Sequence, residues 1–429
     1  MMLTGLISIL TGTGIADPLS AGVGRELALV VVEAGPHDRV HTPIVIPTSG
    51  KILFGQDMPT DRLARQCLVL VDLDGPSARG VYPAQWQAVT DPPMSAVKTG
   101  ALVFTLPGKT PANSVRRFQL RTVERRPGRD RIAVEDDKGK ALLFRCGGRS
   151  IARYNYGLVQ RQPGKPSMFD RTAYFHPVWA PCGQIVTDDF PKSHPHQRGL
   201  FLAWTRATIG GYKADFWNLL KRRGKTLHRR LDHVVGGPVF GGFIAYNECV
   251  ANGRVAIKET WVTRIYAGPM GVWLIDLDVR HTATDQPVVL EKYHYGGVAY
   301  RGRPDWLKRN RPQIEASDGY DAKKGATESA RWVDMAGKLP GGHDGGLTMI
   351  DHPSNPTYPT AARIHTDKPY FCFAFAQRGP YTIEAGKSLE LRYRCVVHDG
   401  PPDRNANDRW AADFADPPTV TIRPVSQRK

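Results

Sequence analysis

Apolar positions along this chain alternate with polar ones over short stretches, or fill brief runs, and then break at glycine, proline or aspartate. A period of two belongs to strands rather than helices. Residues 26–35 (ELALVVVEAG), 65–74, 81–90, 100–107 and 115–124 fit it, and Asp136-Asp137-Lys138-Gly139 supplies a turn between RIAVE and ALLFRC, predicting a hairpin. A second series covers 199–205, 239–250, 253–266, 271–281, 288–295, 370–377 and 389–398. One short helix is expected at Asp215 to Leu220, and 301–359, rich in Gly, Asp and Pro, reads as a long loop over a site.

The fold class expected from this pattern is all-β: an antiparallel β-sandwich domain over 151–429 beside a smaller N-terminal β module at 23–150. The 429 residues, broken by 43 glycines and 34 prolines, show no repeat of fixed period, which counts against propellers and solenoids. Residues 1–22 carry an apolar centre at Leu3 to Leu10 and small residues at Ala16 and Ala21, read as a signal peptide for export to the periplasm or the exterior. No apolar stretch approaches the roughly 20 residues of a spanning helix, so no membrane span is expected.

Charge changes this picture only in part. The net charge of +17 favours an anionic partner. Its densest cluster, from Lys221 to Arg230, reads as a solvated basic loop, and no docking motif accompanies it, so nucleic acid is not expected as a partner. The six cysteines lack metal-binding spacing and read as buried thiols, with Cys372 and Cys395 able to pair if their strands adjoin.

All of the thirteen histidines except His37 and His41 lie beyond residue 170. The densest group is Ser193-His194-Pro195-His196-Gln197-Arg198-Gly199. In an extended segment His194, His196 and Arg198 project from one face, and two imidazoles with a guanidinium can move protons near neutral pH and neutralise an oxyanion or carboxylate. These three are the candidate catalytic residues, with His294 from Glu291-Lys292-Tyr293-His294-Tyr295. On a strand His294 would face away from both tyrosines. Candidate ligand-binding residues are His176, Tyr295, Trp217, Asp351 and His352. A lone His-Pro such as His176-Pro177, or an Asp-His-Pro turn at Asp351, serves as readily as a local backbone cap. His398 and the His343-Asp344 pair are weaker candidates, and Asp215, Glu291, Asp344 and Asp351 are the available carboxylates. No cofactor is required by the sequence; a divalent metal is admitted by paired imidazoles.

The segments YFHPVWAPCGQIVTDDFPKSHPHQRGLFLAW, ADFWN, EKYHYGGVAYRG, the DHPSNP loop and LRYRCVVHDG, in this order, resemble the bacterial family of unknown function labelled "methane oxygenase PmoA". The resemblance covers most of 150–415, and AGPHDRVHTPIVI resembles the opening of such proteins. Methane oxidation itself is rejected, because that activity belongs to an integral membrane protein. The resemblance implies an exported carbohydrate-utilisation setting and a galactose-mutarotase-like sandwich. It also implies a further histidine where this chain has Gln197, which bears on any mechanism needing three imidazoles in that run.

Three functions remain open from sequence. The leading one is a carbohydrate-active enzyme, an epimerase, lyase or glycosidase, taking a carbohydrate or other polar ligand of neutral or anionic charge. The second is a non-catalytic glycan-binding protein with Trp204, Trp217 and Trp306 as its platform. The third is a metal-dependent enzyme with His194 and His196 among its ligands. Under the first, His196→Ala and Arg198→Ala abolish function with little effect on folding.

Overall fold

The computed structural model describes residues 23–54, 66–74, 80–87, 100–124, 132–160, 167–268, 271–307, 310–320, 325–365 and 367–425. The signal-like segment 1–22 lies outside the described residues.

Alternation decides how the largest sheet is buried. In Trp273–Ala283 the residues Trp273, Ile275, Leu277 and Val279 face a common core, and Asp276 and Asp278 face the other way. Its neighbour Ser388–Asp399 repeats the pattern, with Leu391, Tyr393 and Cys395 inward and Arg392 and Arg394 opposite. The register sets Asp276 beside Arg394 and Asp278 beside Arg392. Arg394 Nε donates to Asp276 Oδ1 at 2.6 Å and Arg392 Nε to Asp278 Oδ1 at 3.0 Å. Cross-strand pairing lets this charged face be covered without leaving isolated charges.

This sheet has eight antiparallel strands in the order Lys225–Val235, Phe240–Ala251, Arg254–Ala267, Trp273–Ala283, Ser388–Asp399, His343–Asp351, Trp332–Leu339, Gln313–Ala316. A second eight-stranded sheet runs Ala362–His365, Tyr370–Phe373, Gly297–Arg301, Leu200–Ala203, Tyr174–Val178, Arg149–Asn155, Ala141–Cys146, Ile132–Asp137. The two enclose one core in which Tyr154, Phe175, Phe243 and Trp261 pack ring on ring. The protein is therefore an all-β sandwich.

A seven-stranded sheet with its own core around Val30, Phe104 and Phe118 forms the N-terminal module. Its Ala101 and Val103 pack against Phe240, Tyr266 and Leu274 on the covered face of the large sheet. The C-terminal helix Arg404–Ala415, capped by Asp403 accepting from Ala406 N at 3.0 Å, lies on the same face through Ala411 and Phe414. Asp413 of that helix accepts from Thr42 at 2.8 Å and Arg39 at 3.1 Å, tying the module on.

Several expectations need correction. The predicted hairpin forms at 132–146 but belongs to the sandwich, and the last strand, Thr419–Pro424, pairs with Val23–Glu33 in the module, so no single cut at 150 separates the two. The stretch 301–359 is not a loop: it holds three strands of the large sheet, whose glycines and aspartates occupy tight turns and inner positions. Asp215–Leu220 is a turn: Asp215 Oδ1 accepts from Trp217 N and Asn218 N, but Leu219 takes a left-handed conformation at φ 60°, which a right-handed helix does not contain. Half of the basic cluster lies on the edge strand Lys225–Val235. Cys372 and Cys395 stand on different sheets, and none of the six cysteines is in a disulfide.

Candidate functional site

The Ser193–Gly199 run is not extended. His194 N donates to Pro191 O at 3.0 Å and Gln197 N to His194 O at 2.9 Å, so two turns follow each other. The expectation that His194, His196 and Arg198 share a strand face is therefore corrected, because the turns send the arginine inward. Arg198 is fully buried. Its guanidinium bonds Asp189, Tyr174 Oη and, at 3.0 Å, Phe169 O, and it stacks 3.5 Å from the Phe190 ring centroid. It holds the loop rather than facing solvent. Gly199 ends the run where a Cβ would meet Phe175 O at 2.0 Å, an approach only glycine allows.

The two imidazoles remain outside, 5.6 Å apart between ring centroids. His194 Nε2 lies 3.1 Å from Lys368 Nζ. The register pairs His365 with Tyr370 and Tyr370 with Arg301, so these three side chains project from the outer face of the second sheet. Arg301 reaches Gln197 Oε1 at 3.0 Å and so joins this row to the His-Pro-His turn. Burial lowers the pKa of all three imidazoles, and their neighbours lower them further: His194 through Lys368 and Arg301, His196 to about 3 through His194, Arg171, Arg301 and Lys368, and His365 to about 4 through Arg363 and Lys368 among others. Besides burial, the main charged neighbours of the three rings are Lys368, Arg301, Arg171 and Arg363, all cations. At neutral pH they are neutral imidazoles in a positive field.

Two buried guanidiniums beside the cluster keep unused donors. Arg171 bonds only the carbonyls of Leu202, at 3.0 Å, and Phe216, at 3.4 Å, and its Nε has no acceptor among the described residues. Arg301 Nε faces Asp188 Oδ2 at 3.5 Å without a hydrogen bond. Burial raises the Asp188 pKa, and Arg301 offsets this in part. His176 is on the same face but is already used: its Nδ1 is 3.0 Å from Thr187 Oγ1, which also accepts from Val178 N.

His294 lies on a loop rather than a strand, so it does not oppose its neighbours. The rings of Tyr293, His294 and Tyr295 cluster with centroids 4.3 to 4.8 Å apart. Burial, then Arg363 and Arg206, lowers the His294 pKa. Trp217 is buried beneath, 5.7 Å from Tyr295 and 4.8 Å from Phe201. Trp204 and Trp306 are buried too, so none of the three tryptophans offers an open stacking surface.

Asp351 and His352 stand apart. Asp351 closes its own loop, accepting from Asn355 Nδ2 at 2.7 Å and Thr360 N at 2.9 Å, and burial pushes its pKa up to about 6. His352 packs on Phe414 and meets Arg392 at 3.0 Å, on the covered face of the other sheet. His398 is buried against Asp334 at 3.2 Å. Asp344 pairs with Lys338 at 2.9 Å.

Arg301, Arg363, His365 and Lys368 were not recognised from sequence. The signal was present in AARIHTDKPY, where Arg363 and His365 are two apart on a strand. A buried chain was missed as well: Trp204 Nε1 donates to His281 Nδ1 at 2.9 Å, leaving His281 Nε2–H for Glu259 at 2.7 Å, which also accepts from Asn247 Nδ2 at 2.9 Å. Among the described residues no group of three or more His, Cys, Asp or Glu side chains is placed to hold a metal ion.

A model of a family of unknown function, DUF6807, matches residues 141–412. The chain belongs to this family. The DUF6807 match takes in almost all of the two large sheets and most of the C-terminal helix, and every residue of the cluster falls inside it. The DUF6807 region leaves out the whole seven-stranded sheet of the N-terminal module, and membership carries no activity with it. No curated protein matches the chain. No helix among the described residues is long and apolar enough to cross a membrane.

Proposed function

We propose that the protein is an exported carbohydrate-active enzyme that acts on an acidic sugar, a hexuronate, by removing the proton next to its carboxylate. The observation carrying this reading is the grouping of neutral His194, His196 and His365 with Lys368 and Arg301, whose charges have no matching number of anions. A substrate carboxylate supplies the missing charge. Pairing it with Arg301 and Lys368 stabilises the enediolate that forms when a neutral imidazole takes the C5 proton. Returning a proton to the opposite face completes an epimerisation. Expelling the C4 substituent with the electron pair completes a β-elimination. Asp188 and Asp189, the carboxylates beside the cluster, are each engaged by an arginine, which favours this chemistry over hydrolysis by paired carboxylates.

A second reading, a non-catalytic glycan-binding protein, is favoured by one observation: an imidazole held at about 3, as His196 is, makes a weak base. One experiment separates the two. The protein is incubated with hexuronates and short oligouronates in D2O, and NMR follows exchange at C5 and appearance of the unsaturated product, beside His196→Asn. Exchange or product lost in the variant supports the enzyme; binding without either supports the second reading; absence of binding to acidic and neutral sugars alike removes both. A chelator arm reports on a divalent metal.

A further inference from the structure

Five basic side chains, Arg206, Lys213, Lys221, Arg223 and Lys292, line a cleft of 720 Å3 beside the ring cluster. The acids in its wall are occupied. Asp215 holds its own turn, accepting from Asn218 Nδ2 at 2.8 Å as well as from the two backbone amides. Glu291 accepts from Thr208 at 2.5 Å and Lys213 at 3.2 Å. Arg206, Lys221, Arg223 and Lys292 make no ion pair among the described residues, and the cleft carries excess positive charge.

A row of side chains links this cleft to the imidazole cluster. Arg206 stacks 3.9 Å from the Tyr293 centroid, and His294 lies between the fields of Arg206 and Arg363. Arg363 is two residues from His365 on one strand, hence about 7 Å away on the same face. Basic side chains therefore run from Lys368, beside the neutral His194 and His365, through Arg363 to Arg206 and the cleft. The exposed His294 ring and the half-buried tyrosines beside it lie midway, a surface on which a sugar ring can stack.

We infer that the ligand is an acidic oligosaccharide of several uronate units, with one unit at the imidazole cluster and the following units laid across Arg363 and His294 into the Arg206–Arg223 cleft. This rests on the proposed acidic-sugar reading and extends it from a monomer to a chain. Calorimetric titration with a length series from mono- to hexagalacturonate, at low and high salt, tests it. The expected result is affinity rising about tenfold or more with length and falling with salt, and a Lys221→Ser/Arg223→Ser variant that loses about fivefold on the long ligand and nothing on the monomer. Both substituted residues are exposed, so folding is retained. A flat length series, or a double variant that binds the hexamer as the wild type does, overturns the inference. So does tighter binding of an oligonucleotide of equal charge. Monogalacturonate binding that is sensitive to Lys368→Met reports the central site by itself. A flat series with monomer binding intact therefore overturns only the extended track, and loss of binding at every length overturns both readings.

Discussion

Replacing Arg198 with alanine would do more damage to folding than to recognition. The substitution deletes a fully buried guanidinium that bonds Asp189, Tyr174 Oη and Phe169 O and fills the space between the Phe190 and Tyr174 rings. Removing one partner of a buried pair costs about 3–5 kcal/mol because the other charge is left unpaired. Asp189 keeps 14% of its side-chain surface, so the lower part of that range applies. The orphaned Phe169 carbonyl and the cavity add roughly 1–2 kcal/mol. A total of about 4–6 kcal/mol, at about 1 °C per kcal/mol for a chain of 429 residues, lowers Tm by roughly 4–7 °C. Thermal melts followed by circular dichroism measure this, beside Arg198→Met combined with Asp189→Leu, which removes both charges and should recover part of the loss. An Arg198→Ala protein with wild-type Tm that no longer binds hexuronates would refute the reasoning and return the arginine to the ligand.

Other perturbations separate the remaining contributions. His196, held at about 3, and His365 and His352, held at about 4, all titrate near 6.5 when unfolded, so the unfolded chain takes up protons that the native state refuses. Stability is full above about pH 6.5 and is lost as pH falls through the folded values; urea melts across this range should show it, with His196→Asn flattening the slope. Asp351, raised to about 6, works the other way: its contribution is full below about 3.9 and lost as pH rises through 6, so Asp351→Asn should steepen the acid loss in the same melts. Lys368→Met should raise the pKa of His194, His196 and His365 in an NMR titration, since its charge depresses all three. Glu259→Leu strands the His281 and Asn247 donors in the core and should cost about 3–5 kcal/mol in chemical denaturation, with a shift in Trp204 emission.

Much of the fold was legible because strand burial follows a period of two. Phe240–Ala251, Arg254–Ala267, Trp273–Ala283 and Ser388–Asp399 fall within about two residues of the expected limits. The misreading of 301–359 has a physical origin. Strands such as His343–Asp351 begin with glycines that pack against neighbouring backbone, where Gly346 has no room for a Cβ, so the composition of a loop hides the centre of a sheet. The site was legible only as residue types. His194 and His196 were found because they are adjacent in sequence, whereas Arg301 and His365 come together through pairing across Tyr370, which no local pattern reveals. The extended reading of Ser193–Gly199 failed because Pro191 and His194 carbonyls close turns there, and a turn puts Arg198 where a strand would not.

The electrostatics of the cluster argue for a reversible rather than a fixed state. Two causes depress the imidazoles, burial and cationic neighbours, and a ligand can undo only the second. A carboxylate placed between Arg301 and Lys368 cancels the field that Lys368 and Arg301 exert on His194 and His196, so binding raises the basicity of those same rings. On the proposed reading, the free site holds neutral, weakly basic imidazoles, and a site occupied by a carboxylate would hold better bases next to the C5–H bond. Arg171 suits this arrangement: buried, with an unused Nε, it keeps the field positive while making no contact that an anion would have to displace. Coupling of anion binding to base strength needs no moving part, because it follows from placing neutral histidines among more cations than the surrounding carboxylates can neutralise.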